Sequence, residues 1–146
     1  MTENGIYDFY TSGTKKYKID TYAFEGPAIT VAGNGNIGYM HLADGKFNAY
    51  QRTYVLTDFK ADRQLLYLAI GNVLPKKIAF ESMGGVISYI VMDVLAGLEV
   101  WVPLDEGEQA QIGNFFKSMD DQIMQQAQKI ENLRILKAAY LRRMMM

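Results

Sequence analysis

A chain of 146 residues holds one domain of ordinary size plus an appendage. Its 49% apolar and 21% charged content is that of a folded protein rather than a disordered one. Fifteen Lys+Arg against sixteen Asp+Glu leave a net charge of −1, so no global positive charge advertises nucleic acid. The absence of cysteine excludes a disulfide scaffold, thiolate zinc sites and cysteine nucleophiles together. His41, the single histidine, leaves no pair for a His-rich metal site and makes a Ser-His-Asp triad a weak proposition. The longest apolar stretches, such as Gly84–Leu98, are interrupted by Ser88 and Asp93 and fall short of the ~20 residues of a membrane span. Thr2, Glu3 and Asn4 stand where a signal peptide has a basic start. The expectation is a cytoplasmic protein with no membrane, metal or cofactor.

Taken along the chain, the first hundred residues read as short strands and tight turns. Pro27–Ala32 and Thr53–Thr57 are β-branched and apolar, as strands should be. Asn34-Gly35 and Asp44-Gly45 are turn dipeptides, the first directly after a strand-like run. Arg63–Ile70 reads as a short helix stopped by Gly71 and Pro75, and Ser88–Ala96 as another ending at Gly97. Glu99–Val102 reads as a strand entering Pro103. Texture then changes. Eleven of thirteen glycines lie before Glu99, and no glycine follows Gly113. The boundary falls near Leu104–Gly107, dividing a body at 1–104 from a helix at 105–146.

That helix carries the strongest pattern. Steps of four and three from Ile112 give Phe116, Met119, Ile123, Gln126, Ile130, Leu133, Lys137, Tyr140 and Met144, and eight of these ten positions are apolar. Acidic residues at its start (Asp105, Glu106, Glu108) and Arg142 and Arg143 at its end complement the helix dipole. From Glu108 to Met144 it would run about 55 Å. A body of this size cannot cover such a stripe, so a partner helix is required. Gln126 and Lys137 either fix register within the seam or mark a stripe shifted to Ala127 and Leu136.

Gly33-Asn34-Gly35-Asn36-Ile37-Gly38 fits the dinucleotide fingerprint G-x-G-x-x-G, with Asp58 twenty residues beyond its last glycine. The fingerprint needs a helix opening at that glycine to meet the pyrophosphate. Only Tyr39–Ala43 separates Gly38 from the Asp44-Gly45 turn, so a glycine-rich hairpin turn is the better reading. His41 sits in an alternating apolar and polar context as a half-exposed strand residue. The carboxylates are scattered or grouped as solvated helix-start charges, and no acid–base pair assembles.

Polar loops with interleaved aromatic and basic residues are more suggestive. Tyr10–Lys18 offers hydroxyls, ammonium groups and phenols. Asn48–Arg52 adds an amide and a guanidinium, groups that bond purine edges in the major groove. Pro75-Lys76-Lys77 holds charges suited to phosphate. Solvated loops carry the same residue types, which is the plainer reading of each stretch alone.

The helix block is the most specific signal. It runs Pro103-Leu104, Glu108-Gln109, Ile112-Gly113-Asn114-Phe115-Phe116, Met119-Asp120-Asp121-Gln122-Ile123, Gln128-Lys129-Ile130-Glu131-Asn132-Leu133 and Leu136-Lys137. This block resembles the helix that ends a target-recognition half in the specificity subunits of type I restriction–modification systems. Met119 and Ile130 stand where that pattern has leucines. Tyr7–Thr14 and Gly26–Leu56 also resemble the recognition domain of that family, so the likeness touches nearly the whole chain.

The resemblance implies a non-catalytic reader of double-stranded DNA. A recognition domain reads one half of a split target, while long helices set the half-site spacing and dock methyltransferase subunits, which bring in the restriction subunit. Such subunits carry two recognition domains and an opening segment ahead of residues like Asn4–Tyr7. The expectation for one domain with one helix is a half-subunit that pairs with itself, or a fragment. The expected fold class is α+β: a small mixed body followed by one long coiled-coil-forming helix. Chemistry and loop placement select Thr11, Ser12, Lys15, Lys16, Asn34, Asn36, Gln51, Arg52, Lys76 and Lys77 for DNA contact. The helix stripe selects Ile112, Phe116, Met119, Ile123, Ile130, Leu133 and Tyr140 for pairing. Two rivals stay open: a coiled-coil protein-interaction module without DNA binding, and a nucleotide-binding oxidoreductase using Gly33–Gly38.

Overall fold

A computed structural model of the chain describes residues 4–83 and 85–146; Met1–Glu3 and Gly84, with the sequence readings that touch them, lie outside the described residues. Among the described residues, seven short strands precede three helices. The strands are β1 (Tyr7–Tyr10), β2 (Lys16–Ile19), β3 (Phe24–Glu25), β4 (Ala28–Ala32), β5 (Met40–Ala43), β6 (Lys46–Ala49) and β7 (Thr53–Leu56). The helices are α1 (Arg63–Glu81), α2 (Met92–Ala96) and α3 (Glu106–Met145). The fold is α+β, as the sequence implies.

Two sheets form, ordered β2-β1-β6-β3 and β5-β4-β7. The second is antiparallel throughout, whereas the first contains a parallel pair, β1 with β6, in register Asp8 to Phe47. β4 is buried along its whole length because it is covered on both faces. Ile29 and Val31 face the larger core with Met40, Ile70, Leu74, Ile90 and Leu95. Ala28, with Ala43, meets the Tyr10 and Phe47 rings of the other sheet. Small residues on one face of β4 thus make room for large ones opposite.

α1 begins with Asp62 as its N-cap, whose carboxylate accepts the Leu65 amide at 2.9 Å. Arg63 ties this end to the sheet: its guanidinium donates to the Ala28 and Ala43 carbonyls at 3.3 and 3.0 Å and pairs with Asp44 at 2.8 Å. The helix does not stop at Gly71 or Pro75 as expected but continues to Glu81. Leu74, 1% exposed, and Ile78 on the following turn pack against the larger core, and their burial offsets the hydrogen bond that Pro75 forfeits. Gly71, on the turn before the proline, lies against Met40.

Two further expectations are corrected. The Ser88–Ala96 helix is only Met92–Ala96, because Tyr89 bridges to Asn34 and the Ile90 amide donates to the Gly33 carbonyl at 2.8 Å. Backbone committed to that bridge cannot also close a helical turn. Glu99–Val102 is irregular rather than a strand: Val100 packs on the larger core while Trp101 is 97% exposed.

α3 runs for 40 residues, about 60 Å. Asp105 caps it through the Glu108 amide at 2.7 Å. Only its first turns touch the body. Buried Gln109 accepts the Asp62 amide at 2.8 Å and donates to the Pro103 carbonyl at 2.7 Å. Gly113 lies so close to α1 that a Cβ there would stand 2.7 Å from the Asp62 carboxylate. From Asn114 onward every residue of α3 is exposed.

Candidate nucleic-acid interface

The ends of β1, β4 and β6 lie at one end of the two sheets, since β1 and β6 run parallel and β4 pairs antiparallel to β7, which follows β6 directly. Three loops therefore converge there. The loop after β1 holds Thr11, Ser12 and Lys15, and Lys16 opens β2. The loop after β4 holds Asn34 and Asn36, and the turn between β6 and β7 holds Gln51 and Arg52.

Specific bonds stitch them together. The Asn36 amide donates to the Ser12 carbonyl at 2.9 Å, and the Gly33 amide to the Arg52 carbonyl at 2.7 Å. The Tyr50 amide donates to the Tyr10 carbonyl at 2.8 Å. Gly35 has a φ of +61°, and a Cβ there would stand 2.9 Å from the Ser12 hydroxyl, so this contact needs glycine. The Gly33–Gly38 segment is thus a turn leading into β5. No helix opens at Gly38, and a dinucleotide pyrophosphate has no helix N-terminus to meet.

Charge at this surface is mixed. Lys16 and Lys18 flank Asp8 at 3.7 and 2.8 Å, and the Lys18 hydrogen bond holds that carboxyl below its usual range. Lys15 and Arg52 are exposed with no carboxylate partner among the described residues. His41, in β5, lies against the Tyr10 and Tyr39 rings with Nε2 3.4 Å from the Gly13 carbonyl. Burial, helped by Lys16, lowers its pKa despite the Gly13 bond. Tyr10, offered by the sequence as a loop phenol, is core: it is 1% exposed, and burial pushes its hydroxyl up to about 12.

Lys76 and Lys77 stand apart, on the later turns of α1. Lys77 pairs with Glu81 at 3.1 Å, and α1 reaches the loop cluster through Leu74 and Ile78, which pack beneath Gly38. Among the described residues, no hydrogen bond or ion pair joins either lysine to the loops. Tyr89 is the residue that sequence reading missed: it bridges to Asn34, and its ring lies under the Arg52 guanidinium at 5.0 Å. A tyrosine in an apolar run carried no signal of this. The Asn34 Oδ1 and Thr53 Oγ1 atoms nearby are buried with no hydrogen-bond partner among the described residues.

On α3, Ile112 is half-buried in the docked turns, while Phe116, Met119, Ile123, Ile130, Leu133 and Tyr140 are exposed. Met119, Ile123 and Ile130 line a shallow groove together with Gln126 and Ala127. Among the described residues there is no cluster of three His, Cys, Asp or Glu side chains able to hold a metal, and no helix long and apolar enough to cross a membrane.

A mixed body with loops gathered at one sheet end, joined to a long bare helix, is the architecture of a restriction–modification specificity domain. Residues 1–134 match the family model described as the type I restriction modification DNA specificity domain, and the chain belongs to that family. It is 37% identical over 101 residues to the type I restriction enzyme EcoDI specificity subunit of Escherichia coli, covering 68% of this chain and 22% of that protein. It also matches the crystal structure of a type I restriction–modification S subunit from M. genitalium, with a TM-score of 0.64 and 25% identity. That match covers 95% of this chain and 38% of the other. The chain therefore spans well under half the length of either relative.

Proposed function

We propose that this chain is a sequence-specific DNA reader of a type I restriction–modification complex, with a recognition body at 1–104 and a pairing and docking helix at 105–146. The supporting observation is the convergence of the Thr11–Lys16, Asn34–Asn36 and Gln51–Arg52 loops on one sheet end, within a chain of this family. Hydroxyls, amides, ammonium groups and a guanidinium meet there, the donor set that positions a protein on phosphates and reads base edges. The body reads one half of a split target in double-stranded DNA and carries out no chemistry itself. Methyltransferase subunits dock on the helical part and through them the restriction subunit. The complex works in the cytoplasm, where DNA is.

The bare stripe on α3 supports self-pairing: seven of its eight apolar side chains are exposed, Ile123 at 64% and Leu133 at 56% among them. Two copies related by a two-fold axis would read a palindromic split site. Light scattering coupled to size exclusion tests the pairing. A dimer is expected, converted to monomer by Ile123→Asp with Leu133→Asp, and a monomeric wild type would refute it. Duplex binding across a salt series tests the DNA reading. Three to five phosphate contacts predict a log–log slope of about −3 to −4.5, and flat dependence would point to a protein-binding module instead.

A further inference from the structure

Cations in the body are mostly committed to the fold. Arg63 is tied to Asp44 and two strand carbonyls, Lys16 and Lys18 flank Asp8, Lys77 pairs with Glu81, and Lys46 lies 4.6 Å over the Tyr22 ring. Arg52 is held differently. Its backbone sits at a φ of +63°, uncommon for a side-chain-bearing residue, in a turn closed by the Thr53 amide donating to Tyr50 at 3.0 Å. Its guanidinium lies over the Tyr89 ring, 5.0 Å from the centroid, and among the described residues none of its N–H groups donates to an acceptor.

Both halves of this pair hang on one residue. The Gly33 amide donates to the Arg52 carbonyl at 2.7 Å, and the Gly33 carbonyl accepts the Ile90 amide, next to Tyr89, at 2.8 Å. The Tyr54 hydroxyl donates to the Ile90 carbonyl at 2.8 Å, fixing the Tyr89 segment from its other side. A Cβ at Gly33 would collide with the Arg52 carbonyl and stand 2.9 Å from the Tyr54 ring, so the anchor itself requires glycine. Tyr89 is half-exposed, and its main chain is secured by the Asn34 bridge rather than by its ring. The ring therefore has little to do for the core. What it does is hold a guanidinium.

Building on the DNA-recognition reading above, we propose that Tyr89 is a positioning residue that fixes the Arg52 fork to read one guanine in the major groove. The guanidinium presents paired N–H donors in one plane, and guanine presents the O6 and N7 acceptors that match them two at a time. A free arginine must give up rotamer freedom to form both bonds, whereas one already held over a ring loses less. The pair thus turns an exposed cation, which would bind any phosphate, into a reader of one base. Thr11, Ser12 and Asn36 lie on the adjoining loops and are left for neighbouring positions or for the backbone.

The test is selection from a randomised duplex library by the full chain, scored as base preference at each enriched position. Wild type should enrich a motif with a guanine preferred about ten- to a hundredfold at one position. Arg52→Ala should equalise the four bases there, and Arg52→Lys should do so too, because an ammonium lacks the fork. Tyr89→Ala and Tyr89→Leu should weaken that single preference severalfold, the leucine variant keeping an apolar group in place. Tyr89→Phe, which keeps the ring, should restore it. A purely structural role would lower preference at all positions together. If the Tyr89→Leu profile matches wild type while Arg52→Ala relaxes one guanine, the positioning role is overturned and DNA reading stands. If wild type enriches no sequence, DNA reading falls and this inference with it.

Discussion

Replacing Gly113 with alanine sets two opposing effects against each other on α3. Alanine is the better helix former by about 1 kcal/mol, which would stabilise an exposed turn. Here the added Cβ would stand 2.7 Å from the Asp62 carboxylate and 3.3 Å from the Leu65 amide nitrogen. That carboxylate caps α1 through the same Leu65 amide, and the Asp62 amide is bonded to Gln109. Displacing Asp62 loses a cap worth about 1 kcal/mol and strains a second bond of about 1 kcal/mol. Since Leu65 presents backbone, which cannot swing aside, α3 must also back away and lose packing. The expected net effect is destabilisation by about 1–2 kcal/mol. Asn114→Ala, one residue further on an exposed face, should instead stabilise by about 0.5 kcal/mol. Urea denaturation at one fixed protein concentration measures both, as a shift in midpoint with unchanged slope. A Gly113→Ala variant more stable than wild type by about 1 kcal/mol would refute the close helix contact.

Pro75→Ala should raise stability by about 1–2 kcal/mol, the helix-interior penalty of proline reduced by the looser unfolded chain. Pro75 is exposed within α1, so any loss of midpoint would show that its ring packs where none is expected. His41, whose folded pKa lies below the ordinary 6.5 chiefly through burial, makes stability pH-dependent. The unfolded chain binds this proton more readily, so the contribution is whole above about pH 6.5 and is lost as pH falls through the folded value. Lys16, near the imidazole, acts in the same sense, and the neighbouring Tyr10 hydroxyl, pushed up to about 12, brings no charge in this range. As pH drops from about 7.5 to about 5, denaturation midpoints should fall for wild type and stay flatter for His41→Gln; parallel curves would reject this role.

The elements legible in the sequence were those decided by local chemistry. Ala28–Ala32 and Thr53–Leu56 are strands where β-branched runs predicted them, and Gly33–Gly38 is a turn because too few residues separated it from Asp44-Gly45. α3 was legible because its stripe, its acidic start and its basic end agree with one another. The elements misread were those settled by distant partners. α1 passes Gly71 and Pro75 because Leu74 and Ile78 have a sheet to pack against. Tyr89 leaves its predicted helix because Gly33 and Asn34 offer it backbone partners. The loop cluster shares this dependence: the parallel pairing of β1 with β6, 39 residues apart at Asp8 and Phe47, brings Ser12 and Arg52 to one end. Sequence marked those residues by chemistry but held no sign of that pairing, nor of the ring beneath Arg52.

The same dependence explains why the start of α3 is more tightly held than anything beyond it. α1, about 28 Å long, carries the Asp62 contact with α3 at one end and supports Gly38 of the loop cluster near the other. The angle between the loops and the long helix is therefore set by one rigid element. From Gly113 to Met145 the free part of α3 is a lever of about 48 Å. A tilt of about 10° at its base would move the far end by about 8 Å, more than two steps of about 3.4 Å along DNA. Under the proposed DNA-reading role, in which the helix sets the spacing between two half-sites, little such play is tolerable. Buried Gln109, bonded on both sides, and Gly113, with no room for a methyl group, stand where restraint is most effective: at the pivot.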